Sequence, residues 1–266
     1  VIMRCKRCNK NKCYFLSSGR YRCRVCKYTF SASKKKFNVS SRTIKSILKD
    51  FVLEHSTNII INQQSISKYS LLKLLTACRM VMMQDVAKVF SGIVEVDETY
   101  LGAKMRNRRL KELLKIKIKH PKQKKLSGHG TIKQPIFGIL CRSGKVWAEI
   151  VPDVEAKDLQ PLIEKQVQRG STICSDTWRG YTGLATKGYV HRLVKHSEGE
   201  YSDKKGNHIN GLEGFWGYLK RKLAAKGGIR KSRLNLFLAE YVWRYNHRSD
   251  TIEQRVNRLF KLLMSS

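Results

Sequence analysis

Acid is scarce in this chain. Among 266 residues, 20 Asp and Glu stand against 54 Lys and Arg, a formal net charge of +34. So large an excess of one sign repels itself in a compact state and calls for a polyanionic partner. Nucleic acid is the first such partner to consider, and an anionic membrane surface the second. A membrane-spanning role is not expected, because no apolar run reaches the ~20 residues that cross a bilayer. A secretory leader is not expected either, since Val1 to Arg7 turns polar and basic at once. Nor do the eight cysteines form a disulfide framework. Cys78, Cys141 and Cys174 stand alone in apolar surroundings and read as small buried hydrophobes. The others crowd near the start, which points to a reducing compartment and a metal site. With 41% hydrophobic residues, the chain can bury a core, and its length suits two or three small units.

The cysteine-rich stretch CKRCNKNKCYFLSSGRYRCRVC holds two C-x-x-C turns, Cys5/Cys8 and Cys23/Cys26. Each such turn aims two thiolates at one ion, and two turns complete a tetrahedron. A structural Zn²⁺ ribbon over residues 1–34 is therefore expected, with a small hairpin turning at Ser17-Ser18-Gly19. Cys13 is a spare thiol able to replace one of the four. Lys6, Arg7, Lys10, Lys12, Arg20, Arg22, Arg24 and Lys27 surround the cluster and suit contact with a DNA backbone.

After a basic linker, SASKKKFNVSS, residues 40–88 show helical spacing. Ile44, Ile47, Leu48, Phe51 and Val52 share one helix face, with Ser40 or Ser41 as its cap. A short helix near Asn58 to Gln64, a turn at Ser65 to Ser67 and a longer helix from Lys68 resemble a helix-turn-helix. Leu71, Leu72, Leu74, Leu75 and Cys78 are expected to face a core, and Lys68, Tyr69 and Lys73 a DNA groove. The turn lacks a glycine, so a plain helical hairpin fits the same residues, and IIINQ fits a strand as well.

From Gly92 the pattern changes to β. Strands are expected at Ile93 to Val96, Pro135 to Cys141, Lys145 to Val151, Ser171 to Ser175 and Val190 to Val194, with a helix at Asp158 to Val167. The first of these strands runs into Asp97 and the fourth into Asp176. The later stretch HINGLEGFWGYLKRKL reads as a helix with Leu212, Phe215, Leu219 and Leu223 inside. Glu213 lies off that stripe, on a face with Gly217 and Lys220. Carboxylates at strand ends are costly to bring together unless a hard cation sits between them. Asp97, Asp176 and Glu213 are therefore the candidate ligands of two Mg²⁺ ions, with Mn²⁺ as a substitute, a pair suited to phosphodiester chemistry. Taken singly, each acid is as well explained as a turn former or a solvated helix residue. Glu95, Glu98, Asp153 and Asp203 are competing acids. By strand alternation Glu95 shares a face with Asp97 and is the first candidate for an extra ligand.

At VDETYLG, SDTWRGY, HINGLEGFWGYLKRKL and WRYNHR the sequence resembles the DDE transposases of a bacterial insertion-sequence group related to Merlin transposons. The resemblance covers nearly the whole chain. It implies a mixed α/β, RNase H-like catalytic core over residues 91–250, with Asp97, Asp176 and Glu213 as first, second and third catalytic acids. It also implies cutting of transposon ends and joining to target DNA, double-stranded DNA as partner, a homo-oligomer on that DNA, and a bacterial cytoplasmic, nucleoid-associated setting (a nuclear one in a eukaryote). A catalytically retired DNA-binding regulator is the alternative, and a nuclease of the same fold without a joining step is a third.

The segment 103–133 is a basic insertion, with Arg106, Arg108 and Arg109 at its head, and is expected to clamp DNA. Lys220 and Arg221 extend that expectation onto the third acid's helix. His208 is a candidate to orient DNA or water, and Asn210 a helix cap. Trp178 suits stacking on an unpaired base or packing in the core, whereas Trp216 and Trp243 read as core. Arg244, His247 and Arg248 read as a polar helix face for backbone contact or partner packing, and residues 251–266 as a separate C-terminal helix.

Overall fold

A computed structural model of the chain describes residues 3–30, 37, 39–86, 89–102, 133–142, 144–194 and 209–266. The insertion residues Arg106, Arg108 and Arg109, together with Asp203 and His208, lie outside the described residues.

At the N-terminus β1 (Cys13–Phe15), β2 (Tyr21–Cys23) and β3 (Thr29–Phe30) form a three-stranded antiparallel sheet. Its small core is Cys5, Cys23 and Phe30, with Tyr21 packed against them. Asn9 and Lys27 take left-handed φ angles of 57° and 56° directly after Cys8 and Cys26, which turns the chain sharply back over each cysteine pair.

Next come α1 (Ser41–Val52), α2 (Thr57–Gln64) and α3 (Lys68–Gln84), capped in turn by the hydroxyls of Ser40, Ser56 and Ser67. The turn between α2 and α3 needs a left-handed residue, and Ser65 supplies it at φ 47° where a glycine is usual. Leu71, Leu74, Leu75 and Cys78 are buried as expected, but Leu72 is 37% exposed, because it falls about 100° round the helix from Leu71. The last helix, α7 (Ile252–Ser265), begins with a reciprocal capping box between Thr251 and Gln254. It is no separate appendage: Val256, Leu259 and Leu263 share one core with Ile44, Ile47, Leu48, Leu71 and Leu74.

The rest is a mixed five-stranded sheet flanked by helices. Its strands are β4 (Ile93–Leu101), β5 (Gln134–Cys141), β6 (Val146–Ile150), β7 (Thr172–Ser175) and β8 (Val190–Leu193), in the order β6-β5-β4-β7-β8. β4, β5 and β6 pair antiparallel, whereas β7 and β8 run parallel to β4. On one face Val94, Val96, Phe137 and Ile139 pack with Leu159 and Ile163 of α4 (Ala156–Gln166). On the other, Ile136 and Leu140 pack with Leu212, Phe215, Trp216 and Leu219 of α5 (Asn210–Ala224) and with Leu238, Tyr241 and Val242 of α6 (Leu234–Asn246).

β4 is longer than its sequence pattern suggests. It continues through both acids to Leu101, so Asp97 sits at the middle of the strand rather than past its end. Backbone pairing to β5 carries it, with Asp97 opposite Gly138 and Glu98 opposite Phe137.

α6 joins this sheet to the helical unit. Arg244, expected on an outer basic face, is buried: its Nε donates to Glu240 Oε1 at 2.9 Å, and Arg79 Nε reaches Glu240 Oε2 at 2.7 Å. His247 is buried too, with Nδ1 2.7 Å from Asp250 Oδ2. Arg248 stays exposed and donates to the carbonyl oxygens of Gly144 and Tyr245. Desolvated charge is tolerated here because every charged group has a partner. Trp243 is core, as expected, and its indole donates to Asp85.

Candidate metal centre and active site

The two cysteine turns meet. Cys5 Sγ lies 3.5 Å from Cys26 Sγ, and Cys8 Sγ 3.6 Å from Cys23 Sγ. Zn–S bonds of about 2.3 Å in a tetrahedron place sulfurs about 3.8 Å apart, close to what is seen. Backbone N–H groups of Cys26 and Val25 hold the Cys23 thiol down at about 6, the direction a metal thiolate needs. Against the Lys10 backbone N–H, burial and the neighbouring thiols of Cys26, Cys23 and Cys5 push Cys8 up to about 12. Cys13 stays outside the cluster, with its Sγ 3.8 Å from Lys10 O. The four cysteines can thus hold a structural metal such as zinc. Among the described residues they are the one set of three or more His, Cys, Asp or Glu whose ligand atoms all lie within 4.8 Å of one another.

The acids come together by strand register. Parallel pairing sets Ile93 beside Thr172, Val94 beside Ile173 and Glu95 beside Cys174. Two residues further on, the same register brings Asp97 level with Asp176, just beyond the end of β7. Their electrostatic contact is plain in the titration of Asp97. Burial first, then the charges of Glu98 and Asp176, push its carboxyl up to about 8. Asp176 Oδ1 accepts the backbone N–H of Trp178 at 2.9 Å, which orients that carboxylate at the strand's end.

Glu213 is exposed in the first turn of α5, while Leu212, Phe215 and Leu219 are buried around it. The guanidinium of Arg221 lies across the same face, 3.3 Å from where a Cβ on Gly217 would stand. Burial lowers the Lys220 ammonium, with Lys133 acting in the same direction, and the charge of Asp97 opposes them. Lys220 therefore stands within electrostatic reach of Asp97.

Several contacts escaped the sequence. Trp216 is core, but its Nε1–H also donates to Asp97 Oδ2 at 2.9 Å. Gly138 makes this possible: a Cβ there would lie 2.6 Å from the Trp216 ring. A lone glycine within the apolar run PIFGILC was the available signal of such a close approach. Glu98, read only as a competitor, points to the opposite face and accepts from the buried Tyr181 hydroxyl at 2.6 Å. Burial, with the Asp176 charge adding to it, lifts Glu98 to about 7. Glu95 is buried against the start of α5, where its Oε2 accepts from Leu212 N–H at 2.8 Å. It thereby does the capping expected of Asn210, for the helix begins after Ile209, which has no side-chain cap to offer. Trp178 is half-buried and donates its indole N–H to Val154 O, so packing rather than base stacking accounts for it. Lys68, Tyr69 and Lys73 are all exposed on α3, Tyr69 at 78%. No helix among the described residues is long and apolar enough to cross a membrane.

This sheet with its level pair of aspartates belongs to a transposase domain. Residues 89–246 match the ISXO2-like transposase domain, and the chain is a member of that family. It is also 33% identical over 122 residues to an uncharacterized transposase-like protein of Haemophilus influenzae, a stretch covering 46% of this chain and 96% of that protein.

Proposed function

We propose that the protein is a DDE-type DNA transposase that cuts transposon ends and joins them to target DNA. In this reading the sheet is the centre of an RNase H-like core, and Asp97, Asp176 and Glu213 are its catalytic acids. The observation that carries it is the β4–β7 register, which brings Asp97, in the middle of β4, level with Asp176, just past the end of β7. The α5 helix bearing Glu213 is bonded to the strand bearing Asp97.

The donor set fits a hard divalent cation. Oxygen ligands suit Mg²⁺ or Mn²⁺, and the Asp97 carboxyl, raised by burial first and then by the charges of Glu98 and Asp176, is one whose ionised form a cation would favour. Among the described residues Asp97, Asp176 and Glu213 do not form one tight set of ligand atoms, and Glu213, exposed on α5, would turn its side chain to close on a shared cation. Bound there, divalent ions would supply Lewis-acid activation of the attacking oxygen and stabilisation of the leaving oxygen. The chain's own part is to hold the carboxylates, while Lys220 and Arg221 meet the phosphate charge beside them. Lys68, Tyr69 and Lys73 on α3, the basic insertion with Arg106, Arg108 and Arg109, and the cysteine ribbon bind double-stranded DNA. Two element ends must be handled together, so the working form is a homo-oligomer on DNA.

The test is Mg²⁺-dependent nicking of a labelled fragment carrying the element's end, followed by a search for joined products. Wild type is expected to nick and join. Asp97→Asn, Asp176→Asn and Glu213→Gln should bind the fragment equally well and do neither. Equal inertness of wild type and variants, with binding intact, would mean a retired regulator instead.

A further inference from the structure

The strand that carries Asp97 and the helix that carries Glu213 are fastened together at two points, each through a carboxylate of β4. Glu95 Oε2 accepts Leu212 N–H at 2.8 Å, and Asp97 Oδ2 accepts Trp216 Nε1–H at 2.9 Å. Alternation puts Glu95 and Asp97 on one face of the strand. Helical spacing puts Leu212 and Trp216 about one turn apart, with Glu213 between them in sequence. A glycine makes room for each contact. A Cβ on Gly211 would stand 3.0 Å from Glu95 Oε2, and one on Gly138, the cross-strand partner of Asp97, 2.6 Å from two ring carbons of Trp216.

We propose that Glu95 and Trp216 are positioning residues that lock the register of α5 on β4, so that Glu213 faces the cation held by Asp97 with only its own side chain left to adjust. This rests on the reading of Asp97 and Glu213 as metal-holding acids. Neither fastener is needed merely to fill space. A leucine at position 95 would suit a buried strand site, whereas a buried carboxylate is costly unless it is bonded. Here it gives the Leu212 N–H, which also reaches Ile209 O at 3.1 Å, a second and shorter bond, and it complements the positive end of the helix dipole. A phenylalanine at 216 would fill most of the same volume. The indole N–H instead occupies Oδ2 of Asp97 and restrains the plane of that carboxylate. A slip of one residue along α5 would rotate Glu213 by about 100° away from its partner.

Mn²⁺ titration of the zinc-loaded, DNA-free protein by calorimetry tests this, with circular dichroism and DNA affinity measured alongside. Trp216→Phe is expected to weaken Mn²⁺ binding roughly tenfold or more while fold and DNA affinity persist. Glu95→Ala should do the same, and Glu95→Gln, whose amide oxygen still accepts from Leu212, should restore binding. This second pair keeps Trp216 in place should Trp216→Phe not fold. Wild-type Mn²⁺ affinity in Trp216→Phe and Glu95→Ala, with Asp97→Asn deficient, would overturn the positioning role and leave the acids standing. If Asp97→Asn itself binds Mn²⁺ normally, the reading of Asp97 as a ligand fails, and hydrogen exchange decides on the fasteners. The Leu212 amide should then be protected in wild type and exchange at least about tenfold faster in Glu95→Ala; an unprotected Leu212 would dismiss them.

Discussion

Arg244 donates its Nη2 to the carbonyl oxygen of Phe51 at 2.6 Å, and its guanidinium carbon lies 4.8 Å from the centre of the Phe51 ring. With Nη1 on Val52 O, one side chain from α6 bonds two carbonyls at the end of α1, of which the Phe51 oxygen also accepts the Glu54 N–H. Replacing it by methionine keeps the length but leaves Glu240 buried with Arg79 alone. Arg244→Met should lower unfolding stability by about 3 kcal/mol, read from denaturant midpoints. A change within ~0.5 kcal/mol, the usual size for a surface substitution, would contradict the buried network.

The metal-free active site should respond to pH in an unusual direction for acids. Asp97 is lifted from 3.8 to about 8 in the folded chain, chiefly by burial and then by the Glu98 charge. Its folded value lies above its unfolded one, so its contribution to stability is full below 3.8 and is lost as pH rises towards about 8. The melting temperature of protein stripped of Mg²⁺ should therefore fall across that window. Saturating Mg²⁺ or Asp97→Asn should flatten the fall; an equally steep fall in Asp97→Asn would rule Asp97 out as its source.

Zinc content should follow the four clustered cysteines and ignore the spare one. Purified protein is expected to carry a single zinc ion per chain, lost from Cys23→Ser and Cys26→Ser and retained by Cys13→Ser. Chelation should unfold the ribbon sheet while leaving the far-ultraviolet helical signal, which comes from other units. Zinc loss from Cys13→Ser would mean that the thiol cluster rearranges when the ion binds.

On α3, Lys73 and Tyr69 should separate by the kind of contact they make. Lys73→Ala should weaken binding to all DNA sequences alike and reduce the salt slope by about one. Tyr69→Ala should mainly change which sequence is preferred, because a nearly free ring at a helix start suits a base edge or methyl group. Identical behaviour of the two variants in a salt series on specific and random duplexes would remove α3 from the groove.

What the sequence made legible was what short-range chemistry dictates. The C-x-x-C turns announced a metal cluster, the serines before the first apolar helical stretch announced its cap, and apolar runs announced the strands. The two aspartates were found because each follows such a run. What stayed hidden depends on contacts between distant segments. Strand propensity argues against Asp97 and Glu98, yet β4 runs through both because β5 supplies the pairing. Arg244 looked like a surface cation because nothing local shows that the end of α1 needs it. Trp216 read as core, which it is, while its polar edge on Asp97 depends on a glycine in another strand. Glu95 looked like a ligand by alternation, but the helix it serves begins over a hundred residues later.

The shared core of α1–α3 and α7 has a consequence for synthesis. Ile44, Ile47, Leu48, Leu71 and Leu74 leave the ribosome long before Val256, Leu259 and Leu263, which complete their packing. Until then the early helices carry an uncovered oily side and depend on chaperones or on transient burial elsewhere. A message broken ahead of the codon for Ile252 would thus yield a product that cannot seal these early helices, and its copies would tend to clump or be degraded.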